Sequence, residues 1–320
     1  MARGARPAPR AAIVGVSGHA LTPEEVALFR AHPPVGAILF ARNIAHPAQV
    51  SALTSSLRDM LGAEAPILID QEGGRVARLK PPHWPSFPPA ARFEGGPAPA
   101  AVANAARIGA ACVAVGLDVV CAPVLDLRLP GAHDVIGDRS FSADPAEVAR
   151  LGSAWIAGLH AAGAQSVAKH IPGHGRARAD SHLELPRVGA SRAELAADIA
   201  PFAALAAEAG WAMTAHILYA ALDPDRPATL SPRIIEGLIR REIGFDGVLV
   251  SDDLAMKALS GASNDLAAAS LAAGCDVVLH CTGGIEDNRA LLAVCAVLSD
   301  RAAGRLARAR ALARPAMVAA

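Results

Sequence analysis

Eight short runs of aliphatic and β-branched residues recur along the 320-residue chain, each closing on a polar or glycine-marked position and each followed by a stretch with helical periodicity. In order they are AAIVGVSG (11–18), VGAILFAR (35–42), APILIDQE (65–72), LDVVCAPV (117–124), AQSVAKH (164–170), AMTAHIL (212–218), GVLVSDD (247–253) and CDVVLHC (275–281). Strands that read as continuous apolar runs belong in a parallel sheet covered on both faces, and parallel neighbours need crossover helices. Intervening stretches such as TPEEVALFRAH, PAEVARLGSAWIAGLHAAG and SPRIIEGLIRREIG supply those crossovers. Several open with Ser, Thr or Asp before a proline or an acidic residue and close on glycine, as capping chemistry requires. Eight such units predict an α/β fold, a single (β/α)8 TIM-type barrel, with an open doubly wound sheet as the competitor.

Composition narrows the class. A hydrophobic fraction of 52% provides a large core, and 30 Lys+Arg against 30 Asp+Glu leaves no net field to hold a polyanion, which argues against nucleic acid as a partner. The five cysteines (Cys112, Cys121, Cys275, Cys281, Cys295) form no CxxC pair and sit mostly inside apolar runs, as reduced thiols in a reducing compartment do. The basic start MARGARPAPR precedes an apolar segment too short for a secretion signal, and no run approaches the roughly 18 residues of a membrane span. The expectation is a cytoplasmic protein without membrane contact, with residues 1–10 a flexible N-terminal tail, 11–320 one catalytic domain, and the stretch RAAGRLARARALARPAMVAA a solvated basic helix. Two connections, 79–96 and 126–145, exceed the usual loop length and are expected to wall a pocket.

A barrel of this kind collects its chemistry at the C-terminal ends of its strands. There the sequence places Asp70 and Glu72, Asp126, Lys169 and His170, His216, Asp252 and Asp253, and His280. The fifth run leads into KHIPGHGRARADSH (169–182), which admits several readings. A metal held by His170, His174 and His182 with Asp180 would make a metal-dependent barrel hydrolase, but no HxH closes the first strand and HExxH is absent. A phosphate cradle lacks the P-loop spacing. His174 reads best as a histidine that satisfies loop backbone groups. Asp180, two residues before His182, can reach its imidazole, fix the tautomer and stabilise the imidazolium. Asp252, at the mouth of the seventh strand, is placed to attack a carbon electrophile, and a carboxylate facing a proton donor is the arrangement for retaining glycoside cleavage. A non-catalytic sugar-binding protein with the same pocket is the remaining alternative. Asp253 should turn to the other side of the pleat and serve behind the site.

These motifs resemble a known family. KHIPGHGRARADSH is similar to the KH(F)PGHG…DSH signature of family 3 glycoside hydrolases of the β-N-acetylhexosaminidase type, and LIDQEGGRVARL, PVLDL, IGDRSFSADP, MTAHILYAALD and VLVSDDLAMKAL match its other landmarks in the same order. The resemblance implies Asp252 as the nucleophile that forms a covalent glycosyl enzyme, and His182 on a flexible loop as general acid/base with Asp180 as its partner. It implies that Asp70, Arg78, Arg139, Lys169 and His170 hold the hydroxyls of the terminal sugar. The implied partner is a small carbohydrate: a terminal non-reducing β-N-acetylglucosamine, released from cytoplasmic cell-wall fragments containing 1,6-anhydro-N-acetylmuramic acid in peptidoglycan recycling. No metal or organic cofactor is implied, and the second, sandwich domain of larger members is not expected. Ile171 stands where the family usually has phenylalanine, so altered loop packing with intact chemistry is expected.

Overall fold

The structure, a computed structural model, describes residues 7–313. Eight parallel strands close on themselves: β1 (Arg10–Gly15), β2 (Pro34–Leu39), β3 (Ile67–Ile69), β4 (Val119–Val120), β5 (Gln165–Ile171), β6 (Trp211–Thr214), β7 (Val248–Asp253) and β8 (Val277–His280). Each pairs with its sequence neighbours, and β1 meets β8 through Ala12↔Val278, Ile13↔Leu279 and Val14↔His280. The order is that of the predicted (β/α)8 barrel; the open sheet is excluded by this closure. Helices such as Pro23–Ala31, Pro145–Ala161 and Arg192–Ala204 fill the crossovers, started by Thr22 and Ser191 in reciprocal caps with Glu25 and Glu194 and by Asp144 capping Ala146 N–H.

Strand pleating sorts side chains into two cores. Ile13, Ile38, Leu68, Val119, Val167, Met213, Val248, Val250, Val277 and Leu279 fill the barrel, while alternating residues such as Ala12, Val14, Ile67, Ile69, Ala168, Leu249 and Val278 pack under the helices. This alternation aims the catalytic rim. Residues 248 and 250 face inward, so Asp252 continues their row at the mouth; Leu68 leads to Asp70 and Val167 to Lys169 in the same way.

The structure departs from the sequence reading in four places. The ladders are shorter than the apolar runs: β4 keeps two residues because Pro123 follows closely and has no N–H to donate, and β6 ends at Thr214, so His216 lies beyond it. Arg10 belongs to β1 rather than to a tail, its N–H bonded to Pro33 O and its guanidinium to Cys295 O; residues 1–6 lie outside the described range. The terminal helix Asp300–Leu312 is not wholly a solvated face, since Arg305 is buried in ion pairs with Asp246 and Asp276; residues 314–320 of that stretch are likewise outside the described range. Finally, loop 79–96 does not line the cavity described below. Its Trp84 and Phe87 are buried, and its prolines back the turn that carries Arg75 and Arg78: a Cβ on Gly73 would lie 2.4 Å from Pro88 O, and one on Gly74 2.7 Å from Pro89 Cβ. All five cysteines are free and buried, and among the described residues no helix is long and apolar enough to cross a membrane.

Candidate active site

A cavity of about 510 Å³ opens at the C-terminal mouth of the barrel, lined by Asp70, Arg78, Arg139, Lys169, His170, Asp180, His182 and Asp252 together. The eight residues that the resemblance implies for the site therefore meet in one place, whereas Asp126, His216 and His280 do not line it. Loop 126–145 contributes Val135, Ile136 and Arg139 to the wall, as its length suggested.

One flank is an ion network. Lys169 Nζ lies 3.0 Å from Asp70 Oδ1 and 2.6 Å from Glu72 Oε1; Arg139 grips Glu72 with Nε and Nη2 at 2.8 and 2.9 Å, and Arg78 Nη2 donates to Asp70 at 3.1 Å. Burial by itself raises the carboxyls, but Lys169 and Arg78 outweigh it at Asp70, and Arg139 and Lys169 outweigh it at Glu72, so both stay ionised. Lys169, opposed by burial but facing both carboxylates, is held above the ordinary lysine range. Gln71 shapes the connecting turn: its Oε1 accepts from Arg78 and Leu79 N–H at 2.8 and 2.9 Å. Glu72 was visible at the strand end in the sequence, yet its role as the bridge between Lys169 and Arg139 was not.

Behind this flank Asp126, fully buried, accepts from His170 Nδ1 at 2.6 Å and from the backbone N–H of His170 and His174 at 3.1 and 2.6 Å. Burial opposes its charge, but His170, His174 and these hydrogen bonds hold its carboxyl down to about 2. A carboxylate can only accept, so His170 carries its proton on Nδ1 and leaves Nε2 free toward the cavity. Asp126 is reached from β4 only because β4 and β5 are adjacent, with Val124 bridged to Lys169. His174 turns inward, Nε2 3.2 Å from Ser181 Oγ, and burial pushes its imidazole down to about 4, so it remains neutral. The sequence placed it as a backbone-satisfying loop residue; it acts instead through its ring, as a peg under the His182 loop. Gly173 adopts φ +135°, and Gly175 is needed for a close approach, since a Cβ there would lie 2.3 Å from Leu127 O. Tyr219 Oη–H donates to Gly173 O at 2.9 Å, and Ile171 is buried with the outer core.

Asp252 and His182 complete the rim. Burial raises the Asp252 carboxyl, but His170, His216, the Asp253 N–H at 2.8 Å and Lys169 prevail, so it sits below the usual carboxylate value. Asp253 uses Oδ1 to accept from Ala255 and Cys281 N–H, each at 3.0 Å, which ties β7 to the end of β8. His216, beyond β6, bonds Asp253 O at 3.0 Å and Thr229 Oγ1 at 2.7 Å, and burial keeps it neutral. The His182 side chain is 61% exposed, its Nδ1 2.8 Å from Asp180 Oδ1, which also accepts the His182 N–H at 2.8 Å. Burial raises Asp180, but these two bonds and the His182 ring charge leave it lowered. The proton thus sits on Nδ1, and Nε2 is free to take a second one and, once protonated, to give it. The loop is fastened by Ala258 N–H to Ser181 O at 3.1 Å and His133 N–H to Ala177 O at 2.9 Å. His170, His174 and His182 each serve a separate partner, and no group of three or more His, Cys, Asp or Glu that could hold a metal ion occurs among the described residues.

Comparison with known proteins agrees with this geometry. The family description "Glycosyl hydrolase family 3 N terminal domain" matches residues 16–310. The "Beta-hexosaminidase" of Pseudomonas aeruginosa is 40% identical over 297 residues, 88% of this chain and 85% of that protein, and that of Alkalilimnicola ehrlichii is 41% identical over 280 residues, 84% and 80% of the two chains. Among solved structures, NagZ from Neisseria gonorrhoeae in complex with N-trifluoroacetyl-D-glucosamine superposes with a TM-score of 0.86 at 33% identity over 96% of this chain and 97% of that one. A family 3 β-N-acetylglucosaminidase from Paenibacillus sp. gives 0.84 at 35% identity, this chain spanning 97% of itself and 63% of that larger protein. By sequence over nearly its whole length, and by fold, the chain belongs to glycosyl hydrolase family 3 and is a glycoside hydrolase.

Proposed function

We propose that the chain is a retaining β-N-acetylglucosaminidase that works through a covalent glycosyl enzyme, and that its substrates are cytoplasmic cell-wall fragments carrying 1,6-anhydro-N-acetylmuramic acid. The observation that carries the chemistry is the presence of an ionised Asp252 and the His182–Asp180 pair on the wall of one sugar-sized cavity. In the first step Asp252 attacks the anomeric carbon as the glycosidic oxygen leaves, taking a proton from His182 Nε2. In the second, His182 Nε2 takes a proton from water, whose oxygen displaces Asp252 from the same carbon. Asp180 stabilises the imidazolium present between protonation and proton donation. Lys169, Arg78 and Arg139 offer donors, and Asp70 and His170 Nε2 acceptors, to the sugar hydroxyls. The aglycone and the compartment rest on the resemblance of the motifs and on five buried, reduced cysteines.

The deciding assay compares 4-nitrophenyl N-acetyl-β-D-glucosaminide with the plain glucoside, for wild type and Asp252→Ala. The N-acetylated substrate should be strongly preferred, and Asp252→Ala should lose on the order of 10⁴-fold in kcat. Near wild-type turnover by Asp252→Ala, or a first-formed product of inverted anomeric configuration, would overturn the mechanism. Abolition of activity by chelators would favour the metal-dependent alternative.

A further inference from the structure

A second depression, a groove of about 660 Å³, is lined in part by the same two loops that wall the cavity. These loops, 126–145 and 171–182, are joined where His133 N–H meets Ala177 O. Val135, Ile136, Arg139 and residues 180–182 face the cavity; Leu129–Ala132, Gly175, Arg176 and Arg178 face the groove. The charges of the groove are unlike those of the cavity. Arg176 is neutralised by Asp198 at 2.6 Å, and the one acid lining the groove, Glu194, has its Oε2 occupied by Ser191 N–H and Oγ–H, each at 2.8 Å. Arg178 and Arg187 are exposed, and among the described residues neither guanidinium has a hydrogen bond or ion pair. Two unspent guanidinium forks on one concave surface suit a carboxylate.

We propose that the groove binds carboxylate groups carried by the leaving part of the substrate, beyond the sugar next to the scissile bond. The inference deepens, and rests on, the β-N-acetylglucosaminidase reading. Arg178 stands two residues before Asp180, so an anion held there also holds the strand of loop that presents His182. Binding energy from a remote part of the substrate then orders the acid/base group.

The test uses the full chain, wild type and Arg178→Ala/Arg187→Ala, on two β-N-acetylglucosaminyl disaccharides: one neutral, the other bearing a short peptide with free carboxylates on the leaving sugar. The variant should keep the neutral disaccharide within about 2-fold while losing roughly 10-fold in kcat/KM on the peptide-bearing one, as two exposed charge pairs of modest strength require. Added salt should erode the wild-type preference and leave the variant unmoved. Equal effects on both substrates, or none on either, overturn the inference. A third arm adds inorganic phosphate to the neutral reaction: a phosphate effect seen in wild type and lost in the variant would make the groove an effector site for free anions and also overturn it. Failure of wild type to cleave either disaccharide would instead strike at the underlying glycosidase reading.

Discussion

Replacing Lys169 with methionine keeps the volume of the side chain and removes its charge from a buried ion network. The ammonium, with a side chain 3% exposed, stands 3.0 Å from Asp70 and 2.6 Å from Glu72. At an effective dielectric of about 20, each attraction is roughly 6 kcal/mol before desolvation is subtracted. Removing one partner of a buried pair leaves the others uncompensated and costs about 3–5 kcal/mol; Arg78 and Arg139 remain, so about 3 kcal/mol is expected at pH 7. The pH dependence has a definite sign. In the wild type Lys169 is raised, so its contribution is present below the ordinary lysine value and lost only as pH climbs through the higher folded one. Asp70 and Glu72 are depressed, so theirs is present above the ordinary carboxylate value and lost as pH falls through the lower folded ones. Without Lys169 burial regains weight at both carboxyls, and the folded variant takes up protons that the folded wild type refuses. The deficit should therefore shrink as pH drops from 7 toward 5. Urea unfolding followed by tryptophan fluorescence measures it at both pH values. A deficit below 1 kcal/mol at pH 7, or one that widens in acid, would refute the reasoning, even if activity is lost.

Three further outcomes follow from the same geometry. His170→Gln removes the imidazole that, when protonated, most favours ionised Asp252, so the acidic limb of kcat/KM on the 4-nitrophenyl substrate should move to higher pH; an unmoved or lowered limb contradicts the coupling. Asp180→Asn keeps an acceptor for His182 Nδ1 but removes the charge that stabilises imidazolium, so kcat should fall roughly 100-fold for poor leaving groups and far less for 4-nitrophenolate; equal losses on both would sink that role. Gly175→Ala forces a Cβ to 2.3 Å from Leu127 O and should cost about 2 kcal/mol while making loop 171–182 more susceptible to limited proteolysis.

The barrel was legible because its strands are apolar on both faces, and the rim because polar residues end six of the eight runs. Asp252, Lys169 and Asp70 could be aimed by counting pleats back to Val250, Val167 and Leu68. What spacing could not convey was inter-strand register. Asp126 and His170 are 44 residues apart and meet only because β4 lies beside β5. Glu72 bridges two cations, Lys169 from β5 and Arg139 from loop 126–145. His174 looked like loop filling because its partner, Ser181, is brought under it by a fold of the same segment. Loop 79–96 misled for a related reason: its length announced a purpose, but the purpose is to brace Gly73 and Gly74 from behind.

The closure of β1 onto β8 bears on how the chain is made. During synthesis Arg10–Gly15 emerges before the other barrel strands, can pair with β2 on one side, and keeps its other ladder unsatisfied until Val277–His280 leaves the ribosome. The nascent barrel therefore carries an adhesive edge at each end of a growing sheet until β8 is made, and loses both at once when that strand docks.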